Sequence, residues 1–234
     1  MAAKTRPVIS RRERPAKPAL TREGIVAIAV KVMRAEGLDR VTMRRLAQEL
    51  DTGPASLYVY LANTAELHAA MLEQLLGQVD LSPVTAPGDW RDRLMQILSS
   101  YTSILFEQPG LAQSVLVTRP SGPAYLSLVE AILALLSVGA VPPARAAWAV
   151  DILLHFATST AAEQGTRHRA AGTEEEEDAV AAALREAPAD SFPQIAALGA
   201  ELLSGEGPDR LIWGFSVLIS GITQIPRLGE LTLE

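Results

Sequence analysis

Cysteine is absent from the 234 residues of this chain, which excludes disulfide bonds, thiolate metal sites and cysteine nucleophiles. Long hydrophobic runs are also missing. The longest, Leu126–Val141, is interrupted by Glu130 and is followed by Pro142 and Pro143, whereas a membrane span needs about 18 or more apolar residues. The basic, proline-containing N-terminus lacks the apolar segment of a secretory signal. We therefore expect no membrane partner and a cytoplasmic location.

Sequence motifs for catalysis are missing as well. The chain contains no phosphate loop, no glycine-rich nucleotide fingerprint and no nucleophile motif. The best case for an acid/base pair is His155 with Glu163. On one helix, however, a separation of eight residues corresponds to about 12 Å, too far for direct contact. We expect no enzyme activity, no cofactor and no bound metal.

Positive charge is concentrated at one end of the chain. Residues 1–45 hold twelve basic and four acidic residues, a net charge of +8, and the remaining residues hold nine basic and twenty-three acidic residues, a net charge of −14, which together give −6. Binding of a polyanion depends on the local field rather than on the total charge. The basic end therefore suits nucleic acid, although a solvated basic tail has the same composition.

The sequence pattern is helical throughout, with no strand pattern and no internal repeat. Proline, cations and few apolar residues predict a disordered basic arm at 1–19. A cluster of Pro83, Pro87 and Gly88 predicts a boundary between an N-terminal domain, 20–80, and a larger C-terminal domain, 88–227.

Capping residues predict four helices in the N-terminal domain. Thr21, Thr42 and Asn63 are placed to cap the first, second and fourth helices, and Pro54 suits the first position of the third, which we expect to run to about Leu61. The first helix carries an apolar stripe and ends at a glycine, and Asn63 with Glu66 forms a capping box that opens a helix to about Val79.

Six further helices are predicted beyond the boundary, at about 89–107, 110–116, 122–138, 143–165, 193–204 and 207–224. The intervening segment 166–192 contains the acidic run Glu174–Asp178. We expect it to be a loop with at most one helical turn, at Ala179–Arg185.

Two short helices joined by a tight glycine-containing turn define a helix-turn-helix, whose second helix enters the major groove of DNA. Here the leucines of the two helices can turn inward, which leaves a polar and aromatic outer face that includes Tyr58 and Tyr60. Such side chains suit phosphates and thymine methyl groups. Arg44 and Arg45 lie in the first turn of the preceding helix, where the helix dipole disfavours cations, so an external anion would explain them.

The stretch Val41–Leu50, with Gly53–Tyr58, Asn63 and Leu67, resembles the DNA-binding domain of the tetracycline-repressor (TetR) family, without gaps from about Leu20 to Leu75. The resemblance implies an all-α fold with a three-helix helix-turn-helix domain and a larger ligand-binding and dimerisation domain. It implies a homodimer that binds a palindromic operator in double-stranded DNA until a small-molecule effector releases it.

The same resemblance assigns site residues. Thr42 and Tyr58 correspond to phosphate-contacting residues and Arg44 to a base-reading arginine. Other expected DNA-facing positions are Pro54, Ala55, Ser56, Tyr60 and Thr64, and Arg45 is expected to face DNA because it is a cation in the first turn of its helix. Thr64 stands where a phosphate-binding lysine is common, and Pro54 replaces a base-reading glutamine of the tetracycline repressors. We hypothesise that the basic arm compensates by binding phosphates or the minor groove.

The C-terminal domain resembles that of the tetracycline repressors more weakly. The resemblance implies a dimer interface formed by Ala144–Glu163 and Asp209–Thr223, whose small residues permit close helix approach, either between subunits or within one chain. The expected ligand-binding positions are Ile97, Tyr101, Val115, Arg119, Trp148, His155 and Phe156. Ile97 replaces a drug-binding asparagine and Val115 a metal-coordinating histidine. Val115 offers no oxygen or nitrogen donor for magnesium, so magnesium-tetracycline is not the expected effector.

An effector-independent DNA-binding activator or architectural protein remains the main alternative to a ligand-controlled repressor. The sequence does not distinguish them, because the sign of regulation depends on the position of the operator. An effector cavity in the larger domain would favour ligand control.

Overall fold

The computed structural model describes residues 19–117, 120–167 and 173–227, and over these ranges the chain is helical. Its eleven described α-helices, in chain order, are α1 (Arg22–Glu36), α2 (Met43–Glu49), α3 (Pro54–Leu57), α4 (Thr64–Leu76), α5 (Trp90–Glu107), α6 (Pro109–Val117), α7 (Pro123–Val138), α8 (Pro143–Arg167), α9 (Thr173–Arg185), α10 (Pro193–Leu202) and α11 (Gly207–Gln224). The expected all-α fold is confirmed. No helix in the described ranges combines the length and the apolar character needed to span a membrane.

The predicted caps of the N-terminal helices are confirmed. The Gly24 N–H donates to Thr21 Oγ1 at 3.0 Å, and the Arg45 N–H donates to Thr42 Oγ1 at 3.1 Å. Each bond satisfies a backbone donor that has no partner within the helix. Gly37 ends α1 with a φ of 89°, a conformation that glycine adopts without steric cost.

The capping box that opens α4 is present in a modified form. The Glu66 N–H donates to Asn63 Oδ1 at 2.8 Å, as the sequence predicts. The Glu66 carboxylate reaches back one residue further than expected and accepts the Ala62 N–H at 2.7 Å. The side chains at both ends of the turn therefore satisfy backbone donors, which fixes the direction in which the chain leaves α3 and enters α4.

Helix α3 is shorter than predicted. It ends at Leu57, and the chain continues through a turn in which the Tyr60 and Leu61 N–H groups donate to the Leu57 carbonyl. The prediction of a helix to about Leu61 was therefore wrong at its end. The segment includes a β-branched valine and two tyrosines, residue types that lose side-chain freedom in a helix. Leu57 and Leu61 are nevertheless both fully buried, so the segment is anchored at each end.

The C-terminal helices form the second part of one continuous hydrophobic core. Helices α5, α6 and α7 pack on α8, and α11 packs on both α8 and α5. Gly214 of α11 lies directly against the Phe156 ring of α8, where a side chain would collide with it. Of the two roles left open for the small residues of these helices, Gly214 therefore serves packing within the chain. The Phe156 and Phe215 rings meet edge to face at 5.1 Å between centroids.

Most of the described residues of the segment expected to be a loop at 166–192 are helical, so that prediction was wrong. Helix α8 extends to Arg167, and α9 covers Thr173–Arg185. The acidic run falls in the first turns of α9, where the helix dipole favours negative charge, and alanines of high helix propensity follow it. A run of acidic residues is therefore as compatible with the start of a helix as with a loop.

Candidate DNA-binding surface and effector region

The turn between α2 and α3 presents the outer face of α3 to solvent. Asp51 adopts a positive φ of 48°, and the Thr52 N–H donates to the Ala47 carbonyl at 2.8 Å, so α2 ends here and a short turn leads into α3. Leu57 and Leu61 then point into the core. The opposite side of this segment is left exposed, with 52% exposure at Tyr58 and 80% at Val59. A short segment anchored by two leucines therefore displays side chains that contribute little to the core.

The predicted DNA-facing residues lie on this surface and beside it. Eight of the nine are exposed: Thr42, Arg44, Pro54, Ala55, Ser56, Tyr58, Tyr60 and Thr64. They are contributed by the start of α2, by α3 with the turn after it, and by the start of α4. The basic arm predicted at 1–19 lies, apart from its last residue, outside the described residues.

Arg45 differs from the other eight because its guanidinium is engaged within the protein. Its Nη2 lies 2.7 Å from Glu36 Oε1, and its Nη1 lies 2.8 Å from Glu49 Oε2. The hydrogen bonds from Arg45 lower the pKa of Glu36 below its ordinary value. A cation in the first turn of α2 is thus explained by two carboxylates of the chain itself, and the external anion that we expected is not required for it.

Two of the predicted effector residues lie deep in the C-terminal core. Ile97 and Tyr101 of α5 are buried, and the Tyr101 hydroxyl lies 2.8 Å from Thr158 Oγ1 of α8. Thr158 donates its own hydrogen to the Leu154 carbonyl at 2.7 Å, so Tyr101 is the donor of the pair. Burial raises the pKa of Tyr101 to about 12. This is a neutral, hydrogen-bonded polar pair inside an apolar region.

Four other predicted effector residues, which lie within the described ranges, are distributed over separate places on α6 and α8. Trp148 and His155 lie on the exposed face of α8, while Phe156 turns toward α11. Val115 lines a separate cavity between α4 and α6. Arg119 lies outside the described residues. The inward positions of α8 are instead held by small and aliphatic residues: Ala146, Ala149, Val150, Leu153, Leu154 and Ala157.

Two residues that the sequence analysis did not single out lie at the contact between the N-terminal and C-terminal helices. Glu73 of α4 accepts the Ala124 N–H and, at 3.5 Å, the Tyr125 N–H in the first turn of α7. His68, also on α4, faces α6. Glu73 and Ala124 are 51 positions apart, so no local pattern in the sequence indicates their contact.

The acid/base pair considered for catalysis is not formed. His155 and Glu163 are both exposed on α8, and Glu163 instead accepts a 2.6 Å bond from Arg167. Within the described ranges, no group of three or more histidine, aspartate or glutamate residues is arranged to hold a metal ion.

Comparison with known proteins matches both parts of the chain to family models. Residues 25–71 match the model described as bacterial regulatory proteins of the tetR family, and residues 82–225 match the tetracyclin repressor-like C-terminal domain. A helix-turn-helix transcriptional regulator of Saccharopolyspora erythraea is 31% identical over 183 residues, which cover 77% of this chain and 75% of the relative.

Two solved structures from Streptomyces coelicolor are similar over nearly the whole chain. One, of a transcription regulator, is 55% identical with a TM-score of 0.72 and covers 90% of this chain and 98% of its own. The other is the TetR family protein ActR in complex with actinorhodin, which is 32% identical with a TM-score of 0.80 and covers 88% of this chain and 96% of its own.

Proposed function

The chain belongs to the tetR family of bacterial regulatory proteins, and we propose that it is a cytoplasmic repressor. It binds a palindromic operator as a homodimer and is released by a small molecule. Its working parts are a basic arm at 1–19, a DNA-binding domain at 20–80, and an effector-binding and dimerisation domain at 88–227. The observation that carries this proposal is the exposed outer face of α3, anchored by two fully buried leucines.

The DNA-binding surface divides into backbone and base contacts. Thr42 and Tyr58 bind phosphates, and Arg44 reads a base edge in the major groove. The small side chains of α3 allow close approach to the bases, and Tyr60 and Thr64 extend the surface toward the flanking backbone. Arg45 orients α2 against the end of α1 through Glu36, so that Arg44 points outward. The basic arm adds contacts to phosphate that depend on salt.

Homodimerisation uses the exposed apolar faces of α8 and α11. Trp148 is 53% exposed and Trp213 is 70% exposed, and Ile152, Ile212 and Val217 are also exposed. An apolar surface of this kind on one subunit favours burial against a second copy. A twofold dimer places the two α3 segments in successive major grooves, roughly 34–36 Å apart.

The effector binds in the C-terminal domain near Tyr101 and acts through α4. The Tyr101–Thr158 pair supplies a polar group within an apolar region, as small-molecule sites require. Helix α4 connects the two domains and packs against α1 on one side and α5, α6 and α7 on the other. A few kcal/mol of preference for an arrangement in which α4 has shifted is sufficient to release the operator. The actinorhodin complex of ActR supports a small-molecule effector.

The alternatives have less support. A catalytic role lacks an assembled site among the described residues, and both family models describe regulators rather than enzymes. An effector-independent DNA-binding protein is less consistent with the actinorhodin complex of a relative that covers most of the chain.

Selection of bound sequences from a random DNA pool, by the purified full chain at a stated salt concentration, tests the proposal. We expect a palindrome whose half-sites lie about one helical turn apart. Recovery of DNA with no consensus would contradict operator recognition. The selected operator then allows individual residues to be tested.

Tyr58→Ala is the first variant to measure. Loss of a hydrogen bond to a charged phosphate in each subunit should weaken operator binding about tenfold or more, with an unchanged helical circular-dichroism spectrum. Leu126→Ala is the matched control, because Leu126 is 59% exposed but lies on α7, away from the DNA-binding surface. If Tyr58→Ala and the control bind the operator with equal affinity, α3 is not part of the surface that contacts DNA.

A further inference from the structure

A cavity lies at the contact between the DNA-binding helices and the C-terminal helices. Its volume is about 420 Å³, within the usual range for small-molecule sites. One wall is formed by α4, which contributes Ala65, His68, Ala69 and Leu72 at helical spacing, and the opposite wall is formed by residues of α6 that include Leu111 and Val115. The small side chains of α4 leave this space open. Neither Ile97 nor Tyr101 lines it, so the cavity is separate from the Tyr101–Thr158 region, although Val115, another expected effector position, does line it.

One polar atom in this cavity has no hydrogen-bonding partner. His68 Nε2 is buried and meets no donor or acceptor within the described residues. Burial lowers the pKa of His68 below its ordinary value of 6.5, so the imidazole is neutral at pH 7. A buried, unpaired hydrogen-bonding group costs free energy, and a ligand that supplies the missing bond recovers that cost.

The lining restricts the chemistry of the ligand. The described residues around the cavity include no charged side chain, and most of its surface is apolar. A charged ligand would gain no partner charge from these described residues. A neutral imidazole presents either an N–H or a lone pair at Nε2, depending on its tautomer, and a hydroxyl group can pair with both because it donates and accepts.

We infer that this cavity is a second ligand site, for a small, largely apolar molecule whose hydroxyl group hydrogen-bonds to His68 Nε2. A ligand there lies between α4 and α6, at a contact between the DNA-binding domain and the body. Such a ligand shifts the position of α4 if it fits one arrangement of this contact better than another. The site thereby provides a second input to operator binding, independent of the region around Tyr101.

The test uses the full chain and two probes of closely similar shape, β-naphthol and β-methylnaphthalene. The chain has three histidines, so the imidazole resonances can be assigned with single substitutions. Titration of the wild-type chain with β-naphthol should shift the ring resonances of His68 saturably and leave those of the exposed His155 in place. This measurement needs no DNA, so failure of operator recognition would not affect it.

Two substitutions test the geometry. His68→Leu should weaken β-naphthol binding about fivefold to tenfold, since one hydrogen bond is lost, and should leave β-methylnaphthalene binding nearly unchanged. Ala69→Leu fills the cavity and should weaken both probes. Leu126→Ala is the control, because Leu126 is exposed on α7 and does not line the cavity, and it should bind both probes like the wild type.

An absence of any saturable shift at His68 would overturn the inference. So would folded His68→Leu and Ala69→Leu variants that bind β-naphthol as tightly as the wild type, because the probe would then occupy another part of the molecule. If either variant fails to fold, the His68 titration of the wild-type chain decides the question alone.

Discussion

Arg45 lies near the DNA-binding surface, but its side chain is paired with carboxylates of the same chain. Its guanidinium bonds to Glu36 at the end of α1 and to Glu49 one turn along α2. The pair with Glu49 follows the i, i+4 spacing of a helix, whereas the pair with Glu36 joins two helices. The network therefore connects the start of α2 to the end of α1.

Glu36→Gln should lower the thermal midpoint at pH 7 by a small amount, on the order of 1 °C, because the ion pair is solvent-exposed. Arg45 lowers the pKa of Glu36 in the folded chain, so this stabilisation is present above the ordinary pKa of 4.5 and is lost as the pH falls through the folded value. Calorimetry from pH 7 to pH 3 should show the difference from the wild type disappearing below about pH 4.5. Glu107→Gln, at an exposed glutamate of α5, is the control; a difference that does not change with pH would contradict the assignment.

The caps were predictable at the residue scale, and the interdomain contacts were not. Thr21, Thr42 and Asn63 each bond to a backbone N–H three residues ahead, so the whole interaction lies within a short stretch of sequence. The contacts of Glu73 with α7 and of His68 with α6 depend on chain segments many positions away. Their partners follow from the packing of helices, which the local sequence does not specify.

At the scale of elements, a side chain of α4 binds the N-terminal end of α7. The Glu73 carboxylate of α4 accepts backbone N–H groups in the first turn of α7, where the positive end of the helix dipole also attracts it. Gly122, the residue before α7, leaves room for this carboxylate, because a side chain there would collide with Glu73. A helix of the DNA-binding domain thus supplies the N-terminal cap for a helix of the body.

Glu73→Gln should lower the free energy of unfolding by about 1–2 kcal/mol, since the substitution removes the negative charge and directs an amide N–H group at backbone donors. In a chain of this length the thermal midpoint should fall by roughly 2–8 °C. Glu130→Gln is the matched control, because Glu130 is exposed on α7 itself. Equal midpoints for the two variants would show that the cap contributes nothing to the interdomain contact.

Helix assignment from the sequence was accurate where an apolar stripe and a cap coincide, as in α1 and α4. It was inaccurate for α9, because the acidic run was interpreted by its charge and not by its place at a helix N-terminus. It overextended α3, where tertiary anchoring by Leu57 and Leu61 gives a helix-like spacing of buried residues without a continuous helix. Both errors concern segments in which local propensity and packing favour different structures.

At the scale of the whole molecule, the exposed side of α8, which carries Trp148, Ile152 and His155, is the surface that we propose for contact with a second subunit. Trp148 and His155 were expected at the effector site because of their chemistry, a role that stays a prediction. The buried residues of α8, from Ala146 to Ala157, recur at helical spacing, and this places Trp148 and His155 on the opposite side. The periodicity of the sequence alone therefore predicts that Trp148 and His155 lie on the exposed side of α8. The partner that would cover the exposed tryptophans does not appear in the sequence of a single chain.

Trp213→Glu should convert the dimer to a monomer, because Trp213 is 70% exposed on α11, and a carboxylate in the proposed interface would be buried without a partner charge. Light scattering during size-exclusion chromatography should give twice 25.0 kDa for the wild type and 25.0 kDa for the variant. Leu126→Glu, which adds the same charge at an exposed apolar residue of α7, should remain dimeric.

Operator affinity should fall with dimer loss, since one subunit contacts only one half-site. A Trp213→Glu chain that keeps the mass of two subunits would show that α11 lies outside the interface, and a monomer that keeps full operator affinity would show that the two subunits bind DNA independently.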